Sequence, residues 1–228
     1  MAACGTNRCM MQAFSTCMGS LLGHQWAQRL IKRVQDIITA IRASHRPKAL
    51  LEEIAKRMGI TRILITSNKT RFTSVHASVE SVIWVQLALQ ELARQHPECL
   101  TDQLLDWFSD GMFFIMIKQL CKIVKPFTLV IQAVQATCET LADVTRYWLY
   151  LAKMIPQLPF QSINSAFGKW CCIAFNTRQA EMLSAMCKLA LFLHPRCRDA
   201  LAGSSSLWEE ISVEAGMLWQ RREASRPN

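Results

Sequence analysis

Lys69-Thr70-Arg71-Phe72 is the stretch of this sequence best equipped for chemistry. It sets an ammonium point charge and a guanidinium that can grip a phosphate through two parallel bonds beside a ring face on which a base can stack. That chemistry is binding, not bond cleavage. The residues before it, Arg62–Thr66, have a β-branched apolar centre and read as a short strand. Ser67-Asn68 is a turn signal, and Lys69 onward opens a helix. Two readings of the corner stand: a contact for phosphate and base, or an ordinary helix start with Phe72 as a core anchor.

Charge gives the corner a setting. The 228 residues carry a formal net charge of +9. Between Arg29 and Arg71 there are 11 Lys+Arg against Asp36, Glu52 and Glu53, so nearly all of the excess lies in one fifth of the chain. A field of that density attracts phosphates at long range and weakens with salt. Arg29, Lys32, Arg33, Arg46 and Lys48 would widen a binding surface around Lys69, Arg71 and Phe72. The competing reading of the flanking cations is a solvated helix face.

Catalytic constellations are missing from the pattern. Asp102, Asp106 and Asp110 fall at helical spacing, but the joint at Gly111 makes a solvated face the better reading. His24, His45, His76, His96 and His194 stand at no recognisable spacing from Ser, Cys or Asp. There is no Gly-rich phosphate loop and no P-loop lysine. Ten cysteines are spaced irregularly, without a pair of Cys-x-x-Cys knuckles, which argues against structural zinc. They read as reduced thiols packed mostly as small apolar groups, and the first 23 residues lack the pattern of a secretory leader. No cofactor or metal is expected. Met112–Val134 is the most apolar long stretch, yet Lys118, Lys122 and Lys125 oppose membrane insertion.

The elements that must position these residues are helices. Composition is globular, with 51% hydrophobic residues, 8 Gly and 7 Pro. Trp26, Leu30, Val34, Ile37, Ile38 and Ile41 form one apolar stripe of a helix over Trp26–Ala43. Further helices are expected over Arg8–Leu22, Pro47–Met58, Arg71–Gln95, Leu100–Phe108 and Gly111–Val124. A long periodic helix from Pro126 through Leu151 follows, with Ser162–Phe175 and Arg178–Leu193 separated near Asn176. A short turn at Pro195–Leu201 precedes Leu207–Arg222, which Ser206 could cap. The fold class is therefore mainly α, an irregular multi-helix domain with at most one short strand near 62–66.

Several motifs in order resemble those of hAT-superfamily transposases. Lys69-Thr70-Arg71-Phe72-Thr73-Ser74 is similar to the family's threonine-arginine-tryptophan (or phenylalanine) motif. Cys9-Met10-Met11-Gln12 stands where the family carries Cys-x-x-His, with glutamine in place of the histidine. Ala43-Ser44-His45-Arg46-Pro47 and Lys48-Ala49-Leu50-Leu51 resemble the intervening stretch in transposon-derived proteins common in fungi. Lys125-Pro126-Phe127 and Phe192-Leu193-His194-Pro195-Arg196 resemble later blocks, so the series runs from about Arg8 to Ala200.

The resemblance implies a ribonuclease-H-like sheet interrupted by a helical insertion. Residues 1–70 would be a remnant of the sheet domain, 71–202 the insertion, and 203–228 a linker, a C-terminal helix and a tail. It also implies that Phe72 takes the place of an aromatic residue that stacks on a displaced base. The family's three metal-binding carboxylates lie in motifs that this sequence does not contain, and Glu209, Glu210 and Glu214 do not match them. The expected function is non-enzymatic: a hAT-transposase-like chain with weak, sequence-independent affinity for nucleic acid, DNA being the expected partner. The alternative is a helical protein-interaction module that meets a protein partner through exposed apolar surface. No membrane partner is expected, oligomeric state is open, and the expected location is intracellular, nuclear or cytoplasmic.

Overall fold

A computed structural model describes residues 2–67, 72–136, 140–158, 164–195, 197 and 205–224. Among them are eleven α-helices and two single 3₁₀ turns, at Pro97–Cys99 and Ile155–Gln157. The helices are α1 (Ala2–Leu22), α2 (Gln25–Ala43), α3 (His45–Arg57), α4 (Phe72–Trp84), α5 (Gln86–Gln95) and α6 (Asp102–Ser109). They continue as α7 (Gly111–Ala136), α8 (Leu141–Met154), α9 (Ser165–Met182), α10 (Ala185–Leu193) and α11 (Ser205–Ala224). The chain is mainly α, as its periodicity implies. Both domain boundaries expected from the sequence, after residue 70 and after residue 202, fall outside the described residues, as does most of the expected turn Pro195–Leu201.

The expected strand at 62–66 is extended coil without strand pairing among the described residues. Its polar backbone groups find side chains instead: the Ile65 amide donates to Ser81 Oγ at 3.0 Å, and the Leu64 carbonyl accepts from Arg42 Nη1 at 3.3 Å. These two bonds offset part of the cost that a lone strand would carry. Gly59 aims the chain into this segment. Its φ of +70° is the left-handed conformation that favours glycine, and it closes α3 with Gly59 N bonded to the Lys56 carbonyl and Ile60 N to the Ala55 carbonyl.

Four helix boundaries differ from expectation for physical reasons. The helix expected to run to Gln95 breaks at Val85, buried at φ −95°, ψ 10°, after a β-branched run that favours helix less. Pro126 does not start a helix but lies inside α7, where burial of Ile123, Val124, Phe127 and Val130 outweighs the roughly 3 kcal/mol cost of an interior proline. The periodic segment beyond it is divided, because Thr140 and Asp143 form a capping box that starts α8. Asn176 lies within α9, being only a mild helix disfavourer, and the break falls at Leu183-Ser184. In addition, α11 begins at Ser205, so Ser206 is inside it and is not its cap.

The chain forms two compact units. One comprises Met18–Leu129 and Leu158–Cys171. Its core takes the α2 stripe expected from the sequence, with Leu30, Val34, Ile37, Ile38 and Ile41 buried, and α2 packs on α3 and α4. Helix α5 packs on α3 and α6. The Phe167 ring lies 4.7 Å from that of Trp26, and Trp170 Nε1 donates to the Ser20 carbonyl at 2.9 Å. The other unit comprises Met1–Cys17, Val130–Gln157 and Cys172–Asn228. There α10 packs on α8 and α11, Phe14 stacks on Trp148 at 4.5 Å, and Lys188 pairs with Glu210 at 2.6 Å. Burial pushes the Cys17 thiol up to about 12.

Among the cysteines whose side chains are described none forms a disulfide; Cys17, Cys171 and Cys187 are buried, and Cys99, Cys121, Cys172 and Cys197 are half-buried. Lys118, Lys122 and Lys125 all stand on the exposed side of α7. No described helix is long and apolar enough to cross a membrane.

Candidate functional site

The cations singled out in the sequence divide sharply once placed. Arg29 and Lys32 are exposed on the outer face of α2, and no ion pair involves either among the described residues. Arg33, one position along, turns inward. Its side chain is only 19% exposed, and Nη1 bonds Asp110 Oδ2 at 3.0 Å. The guanidinium lies 4.1 Å over the Phe113 ring and 5.0 Å from that of Trp107. Burial alone would raise the Asp110 carboxyl, but bonds from the Phe113 amide and Arg33 hold it below its ordinary value. Arg33 is thus committed to structure, and Asp110 is a partner and helix cap instead of part of a solvated acidic face.

On α3, Arg46 meets Glu98 at 3.3 Å and Lys48 meets Glu52 at 3.9 Å, both pairs exposed and therefore loosely held. Lys69 and Arg71 lie outside the described residues. Phe72 is the first residue of α4, and its side chain is likewise outside them.

Sequence reasoning passed over a groove between α2, α3 and residues 60–64. Ile41, Leu51, Ala55, Leu64 and Val85 floor it, and Arg42, Lys48, Arg62 and Glu52 contribute to its rim. Its volume is about 230 Å³. That is below the ~300–1,000 Å³ of sites that enclose a whole small molecule, and nearer the scale of one phosphate or one side chain. Arg62 stacks 3.6 Å over the Trp84 ring, which fixes its charge at the mouth while leaving it exposed. Ile63 beside it is 65% exposed. The groove depends on the Gly59 turn, which swings 60–64 across the ends of α2 and α3. No sequence spacing announces that crossing.

A second cluster was missed because its members are far apart in the chain. His76 and Glu80 stand one turn apart on α4, and Cys121 comes from α7. Cys121 Sγ lies 3.4 Å from His76 Nε2, and one donor atom from each of the three residues falls within 4.8 Å of the others. Burial lowers His76 below its ordinary value, with Glu80 opposing and Lys125 adding to the effect. Burial also pushes the Cys121 thiol up to about 11. A protonated, inert thiol against a neutral imidazole is the state these surroundings favour in the absence of a ligand.

No protein-family model, no curated protein and no solved structure matches this chain. The likeness to hAT transposases rests on the ordered sequence motifs alone.

Proposed function

We propose that this chain is a hAT-transposase-like protein that acts without catalytic carboxylates and binds nucleic acid weakly, through its backbone and without sequence preference. The observation that carries the reading is the exposed cation array of one region. Arg29 and Lys32 on α2 and Arg42, Lys48 and Arg62 at the rim of one groove all face solvent, and the sequence adds the Lys69–Phe72 stretch that resembles the family motif. Phosphate contacts of this kind give affinity and position but carry no sequence information. The proposed role is intracellular and non-enzymatic, with DNA as the partner.

Binding of a labelled random-sequence DNA to the purified chain, titrated against salt, tests this reading. A steep loss of affinity with salt is expected, with the slope reduced by about one for each phosphate-contacting cation removed, as in Lys32→Ala or Arg71→Ala. Phe72→Ala should weaken single-stranded binding by about 1–3 kcal/mol if its ring stacks on a base. Absence of binding at low salt would overturn the proposal. Metal-dependent cleavage of a DNA hairpin would overturn its non-enzymatic part.

One observation favours a protein partner instead. Met58, Ile63 and Ile65 are exposed on and beside the extended segment, an apolar surface that nucleic acid would leave unused. On α1, Phe14, Cys17, Met18 and Leu21 are buried and add no exposed apolar surface. A chain that ignores DNA but is captured by a protein through Ile63 would satisfy this second reading.

A further inference from the structure

We propose that His76, Glu80 and Cys121 form a binding site for one borderline-soft divalent transition ion, of which zinc is the representative. The three residues supply one imidazole nitrogen, one carboxylate and one thiol, the donor types that zinc combines. A tetrahedral zinc with ordinary Zn–S and Zn–N lengths, ~2.3 and ~2.0–2.1 Å, sets those donors about 3.6 Å apart. The observed Sγ···Nε2 separation is 3.4 Å. The carboxylate is already within 4.8 Å of both, so it needs only side-chain adjustment to close the set.

The helices supply the arrangement. His76 and Glu80 are an i,i+4 pair, which places both side chains on one face of α4. Cys121 arrives from α7, so an ion would tie the two helices together. His76 is buried at 8% exposure, while Glu80 and Cys121 remain half-buried and leave a path for entry. Leu22, Val75, Val79, Leu120 and Val124 line the wall around His76 and Cys121. An apolar wall lowers the local dielectric and strengthens each metal–ligand attraction.

Charge balances when the ion enters. The Cys121 S–H bond breaks as the metal–sulfur bond forms, and the proton leaves to solvent. Thiolate and carboxylate then match the two positive charges of the ion. Lys125, whose field reaches both His76 and Cys121, stands at the exposed side of α7. Three protein ligands leave a fourth position for water.

Titration of the purified full chain with Co²⁺ and with Zn²⁺ tests the site. The parent should show a thiolate-to-Co²⁺ charge-transfer band, and its thermal unfolding should move upward as Zn²⁺ is added, because an ion that binds only the folded state stabilises it. Cys121→Ser should abolish the band, and both Cys121→Ser and Glu80→Gln should weaken Zn²⁺ by at least about tenfold, since even outer-shell changes cost that much. Glu80→Gln keeps size and removes no thiol, so it separates this site from the other nine cysteines and guards against a variant that fails to fold. If both variants bind Co²⁺ and Zn²⁺ as the parent does, the proposal is overturned and the pair is a plain thiol–imidazole contact. The result is independent of DNA binding, and failure of either proposal leaves the other standing.

Discussion

The corner where α2 meets α6 and α7 and the groove where α2 meets α3 and the extended segment each hold an arginine against an aromatic ring, and they use it in opposite ways. Arg33 is enclosed by Phe113 and Trp107, with Asp110 taking up its charge at 3.0 Å. Arg62 lies 3.6 Å over Trp84 and keeps its charge exposed. The same ring contact therefore neutralises one cation into the scaffold and presents the other. A count of basic residues along the chain treats the two alike, and so overstates what is available to a partner.

The largest break in this contrast is Arg33→Ala. It removes a charge-assisted bond and two ring contacts, and about 2–3 kcal/mol of stability should be lost in urea unfolding of the full chain. DNA affinity should hardly move. The pH response gives a second readout. Asp110 has a folded pKa below its ordinary 3.8, so its contribution is present above that value and lost as pH falls through the folded pKa. Arg33→Ala should flatten that acid limb. A large drop in DNA affinity with stability intact would show that Arg33 belongs with the presented cations after all.

That outcome also measures how far the sequence could be read. The α2 stripe was legible because five of its six members are buried at the 3.6-residue period, with Trp26 half-buried at its end. Arg33 was not, because it sits on the polar side of that stripe and the groups that turn it inward, Trp107, Phe113 and Asp110, the last 77 residues away, are distant in sequence. His76 and Cys121 were hidden for the same reason, 45 residues apart. Pro126 misled because local propensity argues for a boundary, whereas the buried residues on both sides of it hold α7 together. The groove needed the Gly59 turn and the side-chain bonds that replace a sheet.

Ser81→Ala is the next largest test, since Ser81 Oγ is what holds the presented side in shape. It accepts from Ile65 N at 3.0 Å and donates to the Ser78 carbonyl at 2.7 Å. Losing it should cost about 1 kcal/mol and speed amide exchange at Ile65 ahead of exchange in α2. Exchange rising equally everywhere would mean that the extended segment is not a separate unit of stability. Arg62→Ala should cost less, about 0.5–1 kcal/mol for an exposed cation–π contact. Unlike Arg33→Ala, it should lower DNA affinity and reduce the salt slope by about one. Equal DNA binding by the Arg62 variant and the parent would remove the groove mouth from the proposed interface.

Glu52→Gln has the smallest expected effect on stability and sharpens the contrast through its sign. Glu52 lies on the groove rim and meets Lys48 at 3.9 Å across one helical turn, with both side chains more than half exposed. A pair of that kind, with the lysine on the N-terminal side, contributes no more than about 0.3 kcal/mol. Thermal unfolding should therefore change little. The rim, however, loses its one negative charge among the lining residues, and Lys48 and Arg62 gain a less opposed field. For a phosphate within a Debye length, removal of one opposing charge should raise affinity by about twofold at low salt and by less at high salt. If Glu52→Gln leaves DNA affinity unchanged or weakens it, the groove is not where the backbone lies, and the exposed Arg29 and Lys32 face of α2 and the Lys69–Phe72 stretch must carry the binding without it.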